Sequence, residues 1–248
     1  MSWTSAIGRQ YDLVRQRIAQ ACARAGRDPS SITLLAITKF ASVPQMIEIV
    51  RLGLFHFGEN RVQFLEAHRH EFSTQAAAAG LDPSMVHWHM VGHLQRNKVK
   101  QVLPMVEMIQ SVDSLRLAQE ISATAHRLGR TMPMLMEINA GQEPQKHGFT
   151  LEEAAPAARQ IAQLPGIQLC GLMSMAPLTD DVSRIRHAFS RTRDLFTQIH
   201  ASGEVGDGFI YLSMGMSSDF EIAIEEGATI VRIGSLLFAE CAPDRAPA

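Results

Sequence analysis

The sequence predicts an α/β fold, a TIM (β/α)8 barrel with one extra N-terminal helix. Eight short apolar segments alternate with helical stretches along the chain, and such strict alternation is typical of a parallel sheet. The length of 248 residues suits a barrel of this kind. A doubly wound open sheet is the structural alternative, but no Gly-x-Gly-x-x-Gly fingerprint follows the first strand. The predicted strands cover residues 32–39, 55–58, 86–92, 107–113, 132–139, 167–173, 209–213 and 230–234.

The helices are predicted from apolar periodicity and from their end signals. A leading helix over residues 3–25 has apolar residues at helical spacing, and Gly26 ends it. Ser42 and Gln45 have the spacing of a capping box at the start of the next helix. The expected layout is a single domain over 1–248, with a leading helix over 1–26 and a frayed tail over 241–248.

The composition excludes several classes of protein. A formal net charge of -2 argues against a dedicated nucleic-acid binder, which usually carries a basic excess. The 3 cysteines are widely separated and show neither a disulfide framework nor a zinc spacing, and free thiols suit a reducing compartment. The N-terminus lacks the features of a signal peptide, and no apolar stretch approaches the ~20 residues that cross a bilayer. We therefore expect a cytoplasmic protein without nucleic-acid or membrane partners.

Lys39 ends the apolar run that forms the first predicted strand. Burying an ammonium group is costly unless the group is paired or gives up its proton. A lysine in this position can therefore be a reactive amine that forms a Schiff base with an aldehyde. The alternative is an ordinary lysine whose long side chain extends from the strand end into water.

The loops after the seventh and eighth strands have the composition of a phosphate site. Barrels commonly bind phosphate with these two loops, where small residues allow backbone N–H groups to approach an anion. Ser218 and Glu221 also have the spacing of a capping box. The alternative is that these residues only turn the chain and cap helices. The small residues concerned are Ser213, Gly215, Ser217, Ser218, Gly234 and Ser235.

A strand-end lysine and a phosphate site at one barrel mouth together suit a ligand that carries both an aldehyde and a phosphate. Pyridoxal 5′-phosphate (PLP) is the common biological ligand of this kind. We expect Arg232 to point toward the ring nitrogen of PLP and Asn60 to hold the ring hydroxyl. A guanidinium donates a hydrogen bond but does not protonate that nitrogen, so the ring would be a weaker electron sink than one paired with a carboxylate.

Seven short motifs follow one another along the chain in an order that resembles a known family. They are Phe57-Gly-Glu-Asn60, Trp88-His-Met-Val-Gly-His-Leu-Gln95 with Asn97-Lys98, Ser111-Val-Asp-Ser114, Lys146-His-Gly148, Gly171-Leu-Met173, Ser213-Met-Gly-Met-Ser217 and Val231-Arg-Ile-Gly-Ser235. The family is that of the pyridoxal phosphate homeostasis proteins, whose fold is similar to the N-terminal barrel of alanine racemase, the fold type III group of PLP proteins. The resemblance spans residues 32–238.

The resemblance implies that Lys39 carries PLP as an internal aldimine. Two departures from the family pattern concern the segment Phe40-Ala-Ser-Val-Pro44, where relatives often have a second lysine, and the C-terminal tail, which lacks the lysines that some relatives carry. The second departure puts tail-mediated transfer of PLP in doubt. The resemblance implies cofactor contacts from Asn60, Ser213, Arg232, Gly234 and Ser235, with Met216 and Ser217 nearby.

Three functions compete at this point. The first, favoured by the resemblance, is a monomeric PLP-binding homeostasis protein without catalytic turnover, which passes PLP to apo forms of PLP-dependent enzymes. The second is an amino-acid racemase, which needs a second base opposite the lysine; Tyr11 and Tyr211 are the chain's tyrosines, and neither is placed for that role. The third is a phosphate-sugar enzyme with Lys39 as its amine, for which Glu59 and Asp113 are the carboxylates near strand ends.

A metal site is the weakest candidate. His87, His89 and His93 lie close together in the chain, and His87 and His89 share one face of the third strand. No carboxylate or cysteine partner is evident for them, so we expect no metal.

Overall fold

The structure, a computed structural model that describes residues 5–141 and 147–238, contains a closed barrel of eight parallel strands. The strands follow one another around the barrel in chain order, and the first pairs with the eighth. This arrangement confirms the predicted TIM (β/α)8 class. The strands are β1 Thr33–Ile37, β2 His56–Glu59, β3 His87–Met90, β4 Met108–Val112, β5 Met132–Ile138, β6 Ile167–Ser174, β7 Tyr211–Ser213 and β8 Ile230–Ile233.

Helices connect the strands, and one helix precedes them. None of the helices described is both long and apolar enough to cross a membrane. The helices are α1 Ala6–Arg24, α2 Val43–Arg51, α3 Val62–Ala78, α4 Val99–Val102, α5 Leu115–Arg127, α6 Leu151–Ala162, α7 Val182–Ala201, α8 Phe220–Glu225 and α9 Ser235–Phe238.

The ends of the first two helices follow from local chemistry. The side chain of Ser5 caps α1 by accepting a hydrogen bond from the Gly8 N–H at 3.0 Å. Past the other end of α1, Gly26 has a φ of 64°, which a glycine adopts without steric cost. The predicted capping box at α2 is confirmed, since the Ser42 N–H donates to Gln45 Oε1 at 2.7 Å.

The first strand is shorter than the sequence predicted. It ends at Ile37 rather than at Lys39, although the Thr38 N–H still donates to the Gly58 carbonyl at 3.1 Å. The chain then turns, because the Ala41 N–H donates back to the Thr38 carbonyl at 2.9 Å. Lys39 therefore lies in a turn just beyond the strand.

Two apolar cores lie on the two sides of the sheet. The larger one fills the space between the barrel and its helices and includes the edge-on aromatic group Phe57, Phe72 and Trp88. A smaller one, with Leu35 and Leu135 among its members, fills the barrel interior. Because successive strand residues point to opposite sides, every second position in a strand belongs to the interior. The interior also holds polar side chains, which bear on the site.

Candidate functional site

The predicted site residues gather on one half of the barrel mouth, at the carboxyl ends of four neighbouring strands. β1 pairs with β2 on one side and with β8 on the other, and β8 pairs with β7. Lys39 follows β1, Asn60 follows β2, Ser213 ends β7 and Arg232 lies in β8. The topology therefore brings together groups that are far apart in the chain, at the end of the barrel where such folds carry their active sites.

Lys39 is half-buried, and its ammonium group lies 4.7 Å from the centroid of the Phe40 ring. Phe40 is 65% exposed, so the amine is in a partly open position. The backbone before Lys39 is held by the buried carboxylate of Glu59. Glu59 Oε1 accepts a hydrogen bond from the Thr38 hydroxyl at 2.5 Å and lies 2.7 Å from His68 Nδ1. Glu59 thus supports the turn that carries Lys39, a role that the sequence did not indicate.

Asn60 offers a buried amide oxygen that has no hydrogen-bond partner within the described residues. Buried polar groups are nearly always satisfied, so an orphaned oxygen at the barrel mouth indicates a ligand that donates to it. The backbone of Asn60 is held closely by Gly92. A Cβ atom at position 92 would lie 2.2 Å from the Asn60 carbonyl oxygen, so the two loops can only approach each other with glycine there.

Arg232 is buried inside the barrel with two protein acceptors. Its Nη1 donates to Ser213 Oγ at 2.8 Å, and its Nη2 donates to the Ser174 carbonyl at 2.9 Å. Burial lowers the pKa of Arg232 to about 10, while the carboxylates of Asp219 and Glu137 oppose this shift. The guanidinium therefore stays charged at neutral pH, and its five N–H groups exceed these two contacts.

The loop after β7 is shaped by Gly215 and Asp219. Gly215 has a φ of 87°, a Cβ there would lie 2.6 Å from Ala223 Cβ, and its carbonyl accepts from the Arg232 N–H at 3.0 Å. The Asp219 carboxylate accepts from the Met216 N–H at 2.5 Å. The predicted capping box of Ser218 and Glu221 is wrong. Asp219 is the residue before α8, and Glu221 instead pairs with Arg17 of α1 at 2.7 Å.

The predicted phosphate residues lie around this loop and the next. Met216 and Ser217 follow Gly215. Gly234 precedes α9 and Ser235 begins it, and the first N–H groups of a helix have no acceptor within the helix. A Cβ at Gly234 would lie 3.1 Å from the Ile37 carbonyl, so this loop packs tightly against the end of β1, two residues before Lys39.

The opposite half of the mouth carries an acidic and histidine-rich group that the sequence did not indicate as a site. His93 Nδ1 lies 2.9 Å and His147 Nδ1 lies 3.6 Å from the same oxygen of Asp113, and the two imidazole rings stack at 4.1 Å. Among the described residues these three are grouped as metal ligands would be, whereas the set of His87, His89 and His93 is not. Of the two imidazoles, His93 is hydrogen-bonded to the Asp113 oxygen. The expectation that no carboxylate lies beside His87 and His93 is therefore wrong, since Glu107 lies 2.7 Å from His87 Nδ1 and Asp113 lies beside His93. Lys146 lies outside the described residues.

Glu137 in β5 is a further buried carboxyl that sequence reasoning missed. Burial raises its pKa to about 7, the charge of Asp113 adds to this shift, and Arg232 and His93 oppose it. Glu137 alternates with Leu135 along the strand, which places both on the interior side. The sequence did contain a signal for Glu137, because it is the one charged residue in the apolar run of β5. Lys39 is singled out in the same way, as a charged residue at the end of an apolar run.

Known proteins are similar to this chain over most of its length. The family model described as alanine racemase, N-terminal domain, matches residues 10–241. The pyridoxal phosphate homeostasis protein of Aquifex aeolicus is 39% identical over 92% of this chain and 95% of its own length. This chain belongs to the pyridoxal phosphate homeostasis protein family. The member of this family from Mus musculus is 33% identical, over 100% of this chain and 92% of its own length. The resemblance drawn from the seven motifs is confirmed.

Several solved structures are similar to this chain in fold. A crystal structure from Bifidobacterium adolescentis is 38% identical, with a TM-score of 0.87 and coverage of 94% of both chains. PipY of Synechococcus elongatus, solved with PLP bound, is 31% identical, with a TM-score of 0.75 and coverage of 91% of this chain and 99% of PipY. The alanine racemase of Clostridium difficile, at 15% identity and a TM-score of 0.67, shares the barrel fold; the match covers 57% of that enzyme.

Proposed function

We propose that this protein binds PLP at the barrel mouth, holds it covalently through Lys39, and serves PLP homeostasis inside the cell without catalytic turnover. The observation that carries the proposal is the convergence of Lys39, Asn60 and Arg232 on one half of the mouth, beside the two loops expected to bind phosphate. A relative with this fold has been solved with PLP bound, which supports the cofactor.

The residues present fit PLP. The orphaned amide oxygen of Asn60 is suited to accept from the ring hydroxyl, and the guanidinium of Arg232 is suited to donate to the ring nitrogen. The backbone N–H groups at Gly234 and Ser235 would take the phosphate, together with Ser217. When bound, PLP supplies an aldehyde that an amine captures as a Schiff base and a ring that withdraws electrons.

The chain's own residues disfavour turnover. Arg232 retains its proton, so it would donate a hydrogen bond to the ring nitrogen without protonating it. Tyr211 is the first residue of β7 and packs against the interior apolar core, at the end of the strand away from Lys39. Tyr11 lies in α1, outside the barrel. Neither tyrosine is therefore placed as the second base of a racemase. With this function we propose a cytoplasmic monomer whose partners are apo enzymes that take up PLP.

A racemase-like activity is the second candidate, and one observation favours it. Glu137 is a buried carboxyl with a pKa of about 7 inside the barrel, and general bases work best when their pKa lies near the working pH. The two functions differ in a direct assay. The first predicts no conversion of L-alanine to its enantiomer by the PLP-loaded protein, whereas the second predicts conversion that Glu137→Gln abolishes.

Borohydride reduction of the PLP-loaded protein tests the covalent link. The chain has four lysines, Lys39, Lys98, Lys100 and Lys146, so peptide mapping can assign the reduced adduct without ambiguity. We expect the reduced pyridoxyl group on Lys39 of the wild-type protein. Lys39→Ala should lose both this adduct and the visible absorption band of bound PLP. Lys98→Ala is the matched control and should retain both. An adduct on another lysine, or an unchanged band in Lys39→Ala, would contradict the proposal.

A further inference from the structure

A chain of hydrogen bonds crosses the barrel interior from Arg232 toward the opposite end of the sheet. Arg232 Nη1 lies 2.8 Å from Ser213 Oγ, which lies 2.8 Å from Gln110 Oε1. At the other end of the same amide, Gln110 Nε2 lies 3.2 Å from His89 Nδ1. His89 Nε2 then lies 3.2 Å from His56 Nδ1. These contacts join strands β8, β7, β4, β3 and β2.

The first bond of this chain is donated by Arg232, because a guanidinium can only donate. Ser213 Oγ accepts from Arg232 Nη1, and the Ser213 hydroxyl donates its own proton to Gln110 Oε1. The amide of Gln110 then turns its N–H group to His89 Nδ1, which must be unprotonated. His89 is therefore neutral with its proton on Nε2, which donates to His56 Nδ1. The orientation of the Gln110 amide thus sets the tautomer of His89, which lies three contacts from Arg232.

The residues of this hydrogen-bond chain are buried away from water. Arg232 is 4% exposed, His89 is 6% exposed, and Ser213 and Gln110 are fully buried. Water cannot replace a lost partner there, and an unpaired buried polar group is costly. The pKa of His89 agrees with the neutral form, because burial, followed by the neighbouring His56 and His87, lowers it to about 3.

We propose that Gln110 and His89 are positioning residues for the cofactor contact of Arg232. They hold the Ser213 hydroxyl with its oxygen toward Arg232. That oxygen and the Ser174 carbonyl are the two acceptors that orient the guanidinium. Without an acceptor at His89, the Gln110 amide is free to turn its N–H group toward Ser213. The Ser213 hydroxyl proton then loses its acceptor, and the hydroxyl is free to turn away from its present position beside Arg232. The inference rests on the proposed function, in which Arg232 meets the ring nitrogen of PLP.

The first test uses the protein without PLP. Nitrogen-15 NMR of the histidine rings at neutral pH should show His89 protonated on Nε2 and unprotonated on Nδ1. Gln110→Glu should reverse this tautomer, because the carboxylate cannot donate and instead accepts a hydrogen bond from a proton on His89 Nδ1. A wild-type His89 protonated on Nδ1, or a tautomer unaffected by Gln110→Glu, would overturn the chain.

The second test measures the ring contact itself. Dissociation constants are compared for PLP and for its analogue in which C–H replaces the ring nitrogen, in wild type, His89→Leu and His89→Gln. We expect wild type to prefer PLP by about 10-fold or more, the range of a hydrogen bond to a charged group. His89→Leu should lose several-fold of this preference. His89→Gln should keep it, because an amide can accept from Gln110 and donate to His56.

The outcomes separate the two proposals. Equal weakening of PLP and the analogue in His89→Leu would show a merely structural role and overturn the positioning role. If wild type binds neither compound, the proposed function fails and the cofactor part of this inference falls with it. The NMR result on the wild-type protein then still decides whether the hydrogen-bond chain exists, and it needs no variant to fold.

Discussion

Gly92→Ala tests whether the close approach of two loops positions Asn60 for the cofactor. The added Cβ would lie 2.2 Å from the Asn60 carbonyl oxygen and 2.7 Å from its Cα and carbonyl carbon. Ordinary carbon contacts are about 3.5 Å or longer, so the added Cβ would overlap the two Asn60 carbon atoms by about 0.8 Å. The atoms in the way are backbone atoms, which cannot rotate aside as the end of a side chain can. The Asn60 loop must therefore move.

The expected cost has two parts. Overpacking of this kind lowers the free energy of unfolding by about 1–3 kcal/mol. Reduced freedom of the unfolded chain offsets about 0.4–1 kcal/mol of it. Displacement of the Asn60 amide oxygen should also weaken PLP binding by about 10-fold, the value of one hydrogen bond of about 1.4 kcal/mol.

Urea unfolding and PLP titration of the same preparation measure both parts. Gly53→Ala is the matched control, because Gly53 has a φ of 88° and no atom within 4 Å of an added Cβ. That variant should lose about 1–2 kcal/mol through backbone strain alone and bind PLP as wild type does. If Gly92→Ala loses stability but keeps its PLP affinity, Asn60 does not hold the cofactor. If it loses neither, the two loops are not packed as described.

Three further predictions concern stability. The pKa of Glu137 is raised from 4.5 to about 7, so the native state binds more protons than the unfolded state between these values. The free energy of unfolding of the wild type therefore falls by about 3 kcal/mol as pH rises through this window. The stability of Glu137→Gln relative to wild type, measured by urea unfolding, should accordingly increase from pH 4.5 to 7. A stability difference that does not change with pH would refute this prediction. Phe72→Ala should lower the free energy of unfolding by about 3–5 kcal/mol without changing PLP stoichiometry, because the ring is buried among aromatic neighbours outside the barrel. A loss of less than about 1 kcal/mol would contradict this packing. Arg17→Gln breaks a partly exposed ion pair in which Arg17 makes two hydrogen bonds to Glu221. Thermal unfolding should show a loss of stability of about 1 kcal/mol or less, which disappears in about 1 M salt. A loss of stability that does not depend on salt would indicate a role in packing.

Much of the barrel could be predicted because parallel strands are covered on both faces. Such strands appear in the sequence as continuous apolar runs, and all eight runs became strands, with ends that moved by a few residues. The first run shows the limit. Lys39 lies two residues past the end of β1, because the turn at Thr38 and Ala41 takes up backbone groups that the apolar pattern cannot count.

The capping boxes show how local rules fail when a distant partner competes. The pair Ser42 and Gln45 formed as predicted, because both partners lie within the first turn of the helix that they cap. At α8 the same spacing was present, but Arg17 of α1 takes Glu221, and Asp219 takes the place before the helix. Arg17 and Glu221 are 204 residues apart in the chain, and no local pattern contains that contact.

The sequence by itself determined the class of fold, the family and the chemical types of the candidate site, because apolar runs, small residues and a single strand-end lysine are local properties. Only the tertiary structure decided that Asn60 has an unsatisfied oxygen beside Gly92, that Glu137 is a buried carboxyl, and that hydrogen bonds link Arg232 to His89. The physical reason is the register of the closed sheet. A shift of one residue turns a side chain from the barrel interior to the helix side, so interior contacts exist only once all eight strands are in place.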